Sequence, residues 1–226
     1  MDWNWYVVWE YRDWFIRGIM YTIILTTVAV SLGTLLGLFI GLAKMSTKKI
    51  LRIPAAIYVE VFRGTPLFVQ IFLFHFAVIP SIWETFFPGE PAPQPLFTGF
   101  VSLTLNAAAY IAEIFRAGVQ SIDPGQMEAA RSLGMTKGMA MRLIILPQAF
   151  VRMLPPLGNE FITLLKDSSL LAAISVTDLA YAGINVAKST FERYPPYLTI
   201  AALYLLMTLF LSRVVVRGLE KKYTPR

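Results

Sequence analysis

The sequence predicts an all-α, polytopic membrane protein with five transmembrane helices and one short helix outside the bilayer, all in a single domain. Three observations point there. The chain is 56% hydrophobic and 15% charged over 226 residues, and its mean hydropathy of +0.60 is too high for a soluble domain of that size. The charges are gathered between long uncharged runs. The most heavily punctuated stretch, "SIDPGQMEAARSLGM" at residues 121–135, is too short to span yet carries a stop signal at each end.

The chain opens on "MDWNWYVVWEYRDWF", which has no basic leader and no small-residue cleavage site. It reads as an outer interfacial segment over residues 1–17 rather than a removed signal peptide. Residues 19–43 form the first span: none is charged, and about 1.5 Å per residue suffices for roughly 30 Å of hydrocarbon. Within it Ala29, Gly33, Gly37 and Gly41 recur every fourth position, a small-residue stripe suited to a packing seam or to a moving interface.

The second span is expected over 55–83, uncharged from Gly64 onward. The prolines of "FFPGEPAPQPLF" then exclude a helix and predict an exposed outer connector. The third span covers 97–118. Glu60 with Arg63, and Glu113 with Arg116, stand at i, i+3 spacing, so each pair is expected to neutralise itself on one helix face; Lys166 and Asp167 are expected to do the same. The fourth span, 140–166, is interrupted by Arg152, Glu160, Pro147, Pro155 and Pro156, which predicts a kinked or broken helix. The fifth covers 194–217. No internal repeat relates the two halves, so two-fold pseudosymmetry would need a second chain.

Lys and Arg near the span ends set the orientation. One side receives Lys44, Lys48, Lys49, Arg52, Arg131, Lys137, Arg142, Arg213, Arg217, Lys221, Lys222 and Arg226; the other receives Arg12, Arg17, Lys188 and Arg193. The first side is expected to be cytoplasmic, with the N-terminus outside and the C-terminus inside. Trp3, Trp5, Trp9, Trp14 and Trp83 then all fall at the outer interface. The net charge of +6 follows from these cytoplasmic cations and calls for no nucleic acid.

The short cytoplasmic helix is expected over 124–133. Asp123 suits the N-cap, Pro124 the first helical position, and Gln126 a capping box. Gly134 suits C′, and Thr136 can cap the helix that follows. Met127, Ala129, Ala130 and Leu133 fall on one arc, with Glu128, Arg131 and Ser132 on the other. The helix could lie on lipid or dock in a protein groove. An arc made mostly of alanine has little to insert into lipid, which favours the groove.

"EAARSLGMTKGMAMRLIILP" at residues 128–147 resembles the EAA signature of ABC importer permeases, with Glu128, Ala129, Ala130, Gly134, Ile144, Leu146 and Pro147 in register. "EVFRGTPLFVQIF", "LNAAAYIAEIFRAGVQSIDPGQ" and "GNEFITLLKDSSL" resemble the permeases for polar amino acids such as histidine, arginine, lysine, glutamine and glutamate. The resemblance implies a type I importer fold in the plasma (inner) membrane of a prokaryote. It also implies a second permease subunit, two ATPase subunits and an external binding protein. The short helix would be the coupling helix, with Asp123, Glu128, Ala129, Ala130, Arg131 and Gly134 as the residues that take up ATPase motion.

The chain has no G-x-x-x-x-G-K-[ST], so it is not expected to be an enzyme, and ATP with its magnesium belongs to the partner subunits. No cofactor or metal is expected: cysteine is absent, and the one histidine, His75, lies on an apolar run. No G-x-S-x-G supports hydrolysis.

Polar residues at bilayer depth are the candidates for substrate contact. Counted from the outside, Asn106 lies about 13 Å and Tyr110 about 20 Å along the third helix, while Glu160 lies about 9 Å from the outer end of the fourth. Asn106, Tyr110 and Glu160 could thus reach one level. Glu160 could pair with an ammonium group or serve as a structural ion-pair partner. A break around Pro155 and Pro156 would expose backbone groups to the other end of the substrate. Together with these features, the resemblance implies an amino-acid permease subunit driven by ATP. The alternative is a secondary transporter or channel driven by an ion gradient, with Glu113 or Glu160 as the coupling carboxylate.

Overall fold

The computed structural model describes residues 3–218 and residue 221. Lys222, Arg226 and the first two residues of the outer segment lie outside the described residues. All regular elements among the described residues are helical. In chain order they are α1 (Tyr6–Glu10), α2 (Arg12–Lys44), α3 (Lys49–Gly64), α4 (Leu67–Phe86), α5 (Pro95–Gln120), α6 (Pro124–Ser132), α7 (Lys137–Ile174), α8 (Leu179–Thr190) and α9 (Tyr194–Val214). By length and composition α2, α4, α5 and α9 can each cross a membrane, and α7 with α8 forms a fifth candidate bent by 45°.

Three sequence expectations are corrected. The segment over residues 1–17 is split: α1 stands apart, and the long helix α2 already begins at Arg12, since no proline separates Arg12 from Ile19. Trp3 stacks on Tyr194 with ring centroids 5.0 Å apart, and Val7 packs in one cluster with Phe15, Leu179 and Val186, so this segment docks on the protein. The second hydrophobic stretch is split at Thr65 and Pro66. Proline cannot donate to the helix and drives its predecessor to extended backbone, as Thr65 shows with φ −119° and ψ 146°.

The third correction concerns the prolines of the fourth span. Pro155 and Pro156 lie inside a continuous helix, because a missing N–H frees a carbonyl without by itself ending a helix. The bend comes later, between α7 and α8, where Asp178 is the N-cap. Its Oδ1 accepts from the Tyr181 N–H at 2.8 Å, and its Oδ2 accepts from the Tyr204 hydroxyl at 3.1 Å. Thr22 Oγ1 accepts from the Leu179 N–H at 3.1 Å, tying this bend to α2. Asp178 is a fully buried carboxylate whose oxygens are both engaged, as burial requires.

The seam between α2 and α5 holds the centre. Ala29, Gly33, Gly37 and Gly41 are all buried on α2, and the α5 backbone runs against them. A Cβ at Gly37 would stand 2.8 Å from the Ala108 carbonyl oxygen, and one at Gly33 would stand 2.7 Å from Ala107 Cβ. Backbone atoms cannot yield as a side chain can. Gly37→Val is therefore expected to destabilise the protein by roughly 1–3 kcal/mol through overpacking, read as a lower thermal midpoint in detergent. An unchanged midpoint would show that the seam opens freely. Leu25, Ile71, Leu103, Ala107, Ile111, Leu164, Leu171 and Ile174 join α2, α4, α5 and α7 in the principal core.

Candidate functional site

The broken second stretch, α5 and α7 enclose a cleft of about 490 Å³. Asn106, Tyr110 and Glu160 all line it, joined by Arg63, Thr163 and Asp167 and by the corner at Gly64, Thr65 and Pro66. The positions follow from helical spacing. Asn106 and Tyr110 are i, i+4 on α5, and Glu160, Thr163 and Asp167 are i, i+3, i+7 on α7, so each helix presents one polar face.

The corner that completes the cleft is held by Gln70, which is buried. Its Nε2 donates to the Phe62 carbonyl at 2.8 Å, the Thr65 carbonyl at 3.1 Å and Thr65 Oγ1 at 2.9 Å. These carbonyls close α3, where Pro66 supplies no N–H. Asn106 Nδ2 in turn donates to Gln70 Oε1 at 3.0 Å. Asn106 therefore spends one of its two amide N–H donors on the scaffold, and its carbonyl oxygen makes no hydrogen bond among the described residues. The discontinuous backbone expected near Pro155 and Pro156 is found here instead, at Gly64 to Pro66.

Arg63 does not pair with Glu60. Its guanidinium sits over the Tyr110 ring, 5.3 Å from the centroid, and 4.0 Å from Glu113. Glu113 does pair with Arg116, as its spacing predicts, and also accepts from Lys44 Nζ at 3.0 Å. That engagement makes Glu113 a tie between α2, α3 and α5. Among the described residues Lys166 and Asp167 form no ion pair within 4.0 Å, and neither does Glu160. The cleft thus presents two half-buried carboxylates, Glu160 and Asp167, to one guanidinium. His75 faces elsewhere, its Nδ1 3.2 Å from Thr98 Oγ1.

The short helix α6 is capped at both ends. Asp123 Oδ1 accepts from the Gly125 N–H at 2.7 Å, while Gln126 bonds Asp123 only through backbone, at 3.0 Å, so the N-cap forms without the reciprocal capping box. At the other end the Gly134 N–H donates to Arg131 O and the Met135 N–H to Ala130 O, the paired bonds of a Schellman stop. Gly134 holds φ +83°, a conformation that glycine adopts without strain. Thr136 Oγ1 caps the next helix at the Met139 N–H.

The apolar arc expected on α6 is divided. Ala130 is 1% exposed, and Met127 packs beside Ile122 and Ile145 in the chain's own third cluster. These two face inward because α6 lies across the ends of α5 and α7 and must cover them. Ala129, Glu128, Arg131 and Ser132 stay exposed, with Leu133 84% exposed beside them. Ala130 is thus unavailable for direct contact with a partner and can only hold the helix in place. Arg131 donates to the Met135 carbonyl at 3.0 Å, which reinforces the stop.

The expected site did not include Arg63 and Asp167, each read as part of a self-neutralising pair, and Gln70 and Asp178 were not expected at all. Asp167 was available as the i+7 continuation of Glu160, and Asp178 as an N-cap before "LAYAG". Nothing local marks Gln70, whose role depends on a corner and a neighbouring helix.

Residues 33–224 match the family described as the binding-protein-dependent transport system inner membrane component. The glutamine transport system permease protein GlnP of Escherichia coli (strain K12) is 34% identical over 222 residues, covering 98% of each chain. The probable amino-acid ABC transporter permease protein YckA of Bacillus subtilis (strain 168) is 38% identical, covering 92% of this chain and 88% of its own. Among solved structures, an amino-acid ABC transporter crystallised with histidines superposes with a TM-score of 0.89 at 43% identity, covering 98% of this chain and 100% of that one. An inward-facing MetNI methionine ABC transporter shares the fold, with a TM-score of 0.75 at 22% identity over 91% of this chain and 96% of that one.

Proposed function

The chain belongs to the family of binding-protein-dependent transport system inner membrane components, and from that premise we propose that it is the permease subunit of an ATP-driven importer of polar amino acids. An external binding protein delivers the substrate, and two ATPase subunits on the cytoplasmic side drive the cycle. A second permease subunit, a copy of this chain or a similar one, completes the pair. The N-terminus lies outside and the C-terminus inside, following the excess of Lys and Arg.

The observation that carries the substrate reading is the cleft. A free amino acid presents an ammonium and a carboxylate, and the cleft offers Glu160 and Asp167 to the first and Arg63 to the second. Asn106 supplies an acceptor, and Tyr110 backs the Arg63 guanidinium. Two carboxylates against one cation favour an amino acid whose side chain is also positively charged. In this cycle ATP binding closes the ATPase subunits, and α6 passes their motion to α5 and α7, which carry Asn106, Tyr110, Glu160 and Asp167. The exposed face around Glu128, Ala129 and Leu133 makes the contact. Asp123 and Gly134 keep the rod rigid, and Ala130 anchors it to the bundle.

Proteoliposomes test this. The chain assembled with its ATPase and binding-protein partners is expected to take up radiolabelled arginine, lysine or histidine only with internal ATP. Uptake by the lone chain under a proton or sodium gradient would replace this reading with a secondary transporter.

A further inference from the structure

A second polar pocket, of about 410 Å³, lies at the end of the molecule where α2 stops and α3 begins, and the transport reading does not use it. Lys44, Arg52, Arg116 and Gln120 form its polar part, and Ile53, Ala56 and Ile57 its apolar wall. The positive charge there is poorly balanced. Glu113 is shared by Lys44, Arg63 and Arg116, and Arg116 also donates to Gln120. Arg52 has no acidic partner within 4.0 Å among the described residues. Lys48 and Lys49 lie between Lys44 and Arg52 in sequence, both exposed. Like charges crowded at the edge of a low-dielectric layer repel unless an anion joins them.

The wall indicates which anion. Ile53 and Ile57 are 50% and 55% exposed, one helical turn apart on the face that carries the pocket. A free phosphate would leave that apolar surface unused. A lipid would cover it with an acyl chain while its phosphate meets the cations. The pocket also lies at the end of a spanning helix, the level at which lipid phosphates sit.

We propose that Lys44, Arg52 and Arg116 form a binding site for the phosphate group of an anionic phospholipid, with its acyl chain running along Ile53 and Ile57. The site rests on the membrane-spanning reading of α2 and not on the identity of the substrate. It uses Arg52 as the uncommitted cation, whereas Lys44 and Arg116 are already oriented by Glu113.

The test uses the assembled transporter in nanodiscs of phosphatidylcholine containing a minority of phosphatidylglycerol, with retained lipid counted by native mass spectrometry. Phosphatidylglycerol is expected to be retained over phosphatidylcholine by the wild type. Arg52→Gln should weaken that retention about fivefold, the effect of one cation near an anionic surface. Arg142→Gln, which removes an exposed cation outside the pocket, should leave it unchanged. Equal retention by Arg52→Gln and wild type overturns the site. Displacement of phosphatidylglycerol by inorganic phosphate overturns the lipid assignment in favour of a free anion. Retention that appears only when the partner subunits are stripped away overturns it in favour of an acidic segment of a partner. Uptake is read on the same samples: lost amino-acid transport with intact lipid retention counts against the proposed function and leaves this site standing.

Discussion

Leu133→Arg is expected to abolish ATP-driven uptake and partner-stimulated ATP hydrolysis while the chain folds and inserts as before. Leu133 is 84% exposed at the end of α6 and lies outside the hydrophobic clusters of the described residues. Its replacement therefore costs the isolated chain little. In a complex in which this face seats in an ATPase groove, the same change forces a charge into a desolvated contact. Central contacts of this kind cost at least about 2 kcal/mol when disrupted, or roughly 30-fold in affinity. The check is co-purification of the ATPase subunit and the rate of hydrolysis in reconstituted vesicles. Wild-type stimulation would remove α6 from the coupling path. Ala130→Leu provides the contrast, since Ala130 is 1% exposed within the chain itself and its enlargement should lower the thermal midpoint before any partner is present.

The second large effect concerns the cleft. Glu160→Gln combined with Asp167→Asn is expected to reduce uptake of arginine and lysine by about 30-fold or more, since truncating one side of a desolvated charge pair costs about 2–5 kcal/mol. Uptake of glutamine should fall less, because one ammonium remains to be paired rather than two positive groups. Both substitutions keep the side-chain shape and remove only charge. If the two carboxylates are structural, the double variant should instead lower the thermal midpoint and depress uptake of every amino acid alike. Radiolabel uptake across a panel of substrates, read beside the melting curve, separates the outcomes.

Both experiments depend on features that differ in how far the sequence announced them. The caps of α6 are local: Asp123, Pro124, Gly134 and Thr136 act on backbone within three residues of themselves, so their order along the chain is enough to place a rigid rod. The small-residue stripe was equally legible, because four positions at a spacing of four share one helix face wherever that helix packs. Which face of the rod stays exposed was not legible. Met127 and Ala130 share an arc with Ala129 and Leu133, and only the position of α6 across the ends of α5 and α7 turns the first two inward.

The cleft shows the same division. Asn106, Tyr110 and Glu160 stood out as polar groups at bilayer depth, and helical rise alone brought them towards one level. Arg63 suggested a pairing with Glu60, because i, i+3 neighbours are the only partners a sequence displays. In the folded chain Arg63 lies over Tyr110 and near Glu113, both remote in sequence. The prolines misled for a related reason. Whether a proline breaks a membrane helix depends on what takes up the freed carbonyls, and Gln70 does this at Thr65 and Pro66 with Asn106 behind it.

The sequence by itself determined the membrane class, the order of the long apolar helices and the capped rod between two of them, since hydrophobic runs and caps act over short stretches of chain. Only the tertiary structure decided that Arg63, Asn106, Glu160 and Asp167 share one cleft, that the backbone corner of that cleft is Gly64 to Pro66, and that Asp178 closes the bend with Tyr204. Those arrangements rest on groups brought together from distant segments, where burial makes each polar atom take whichever partner the packed helices place beside it.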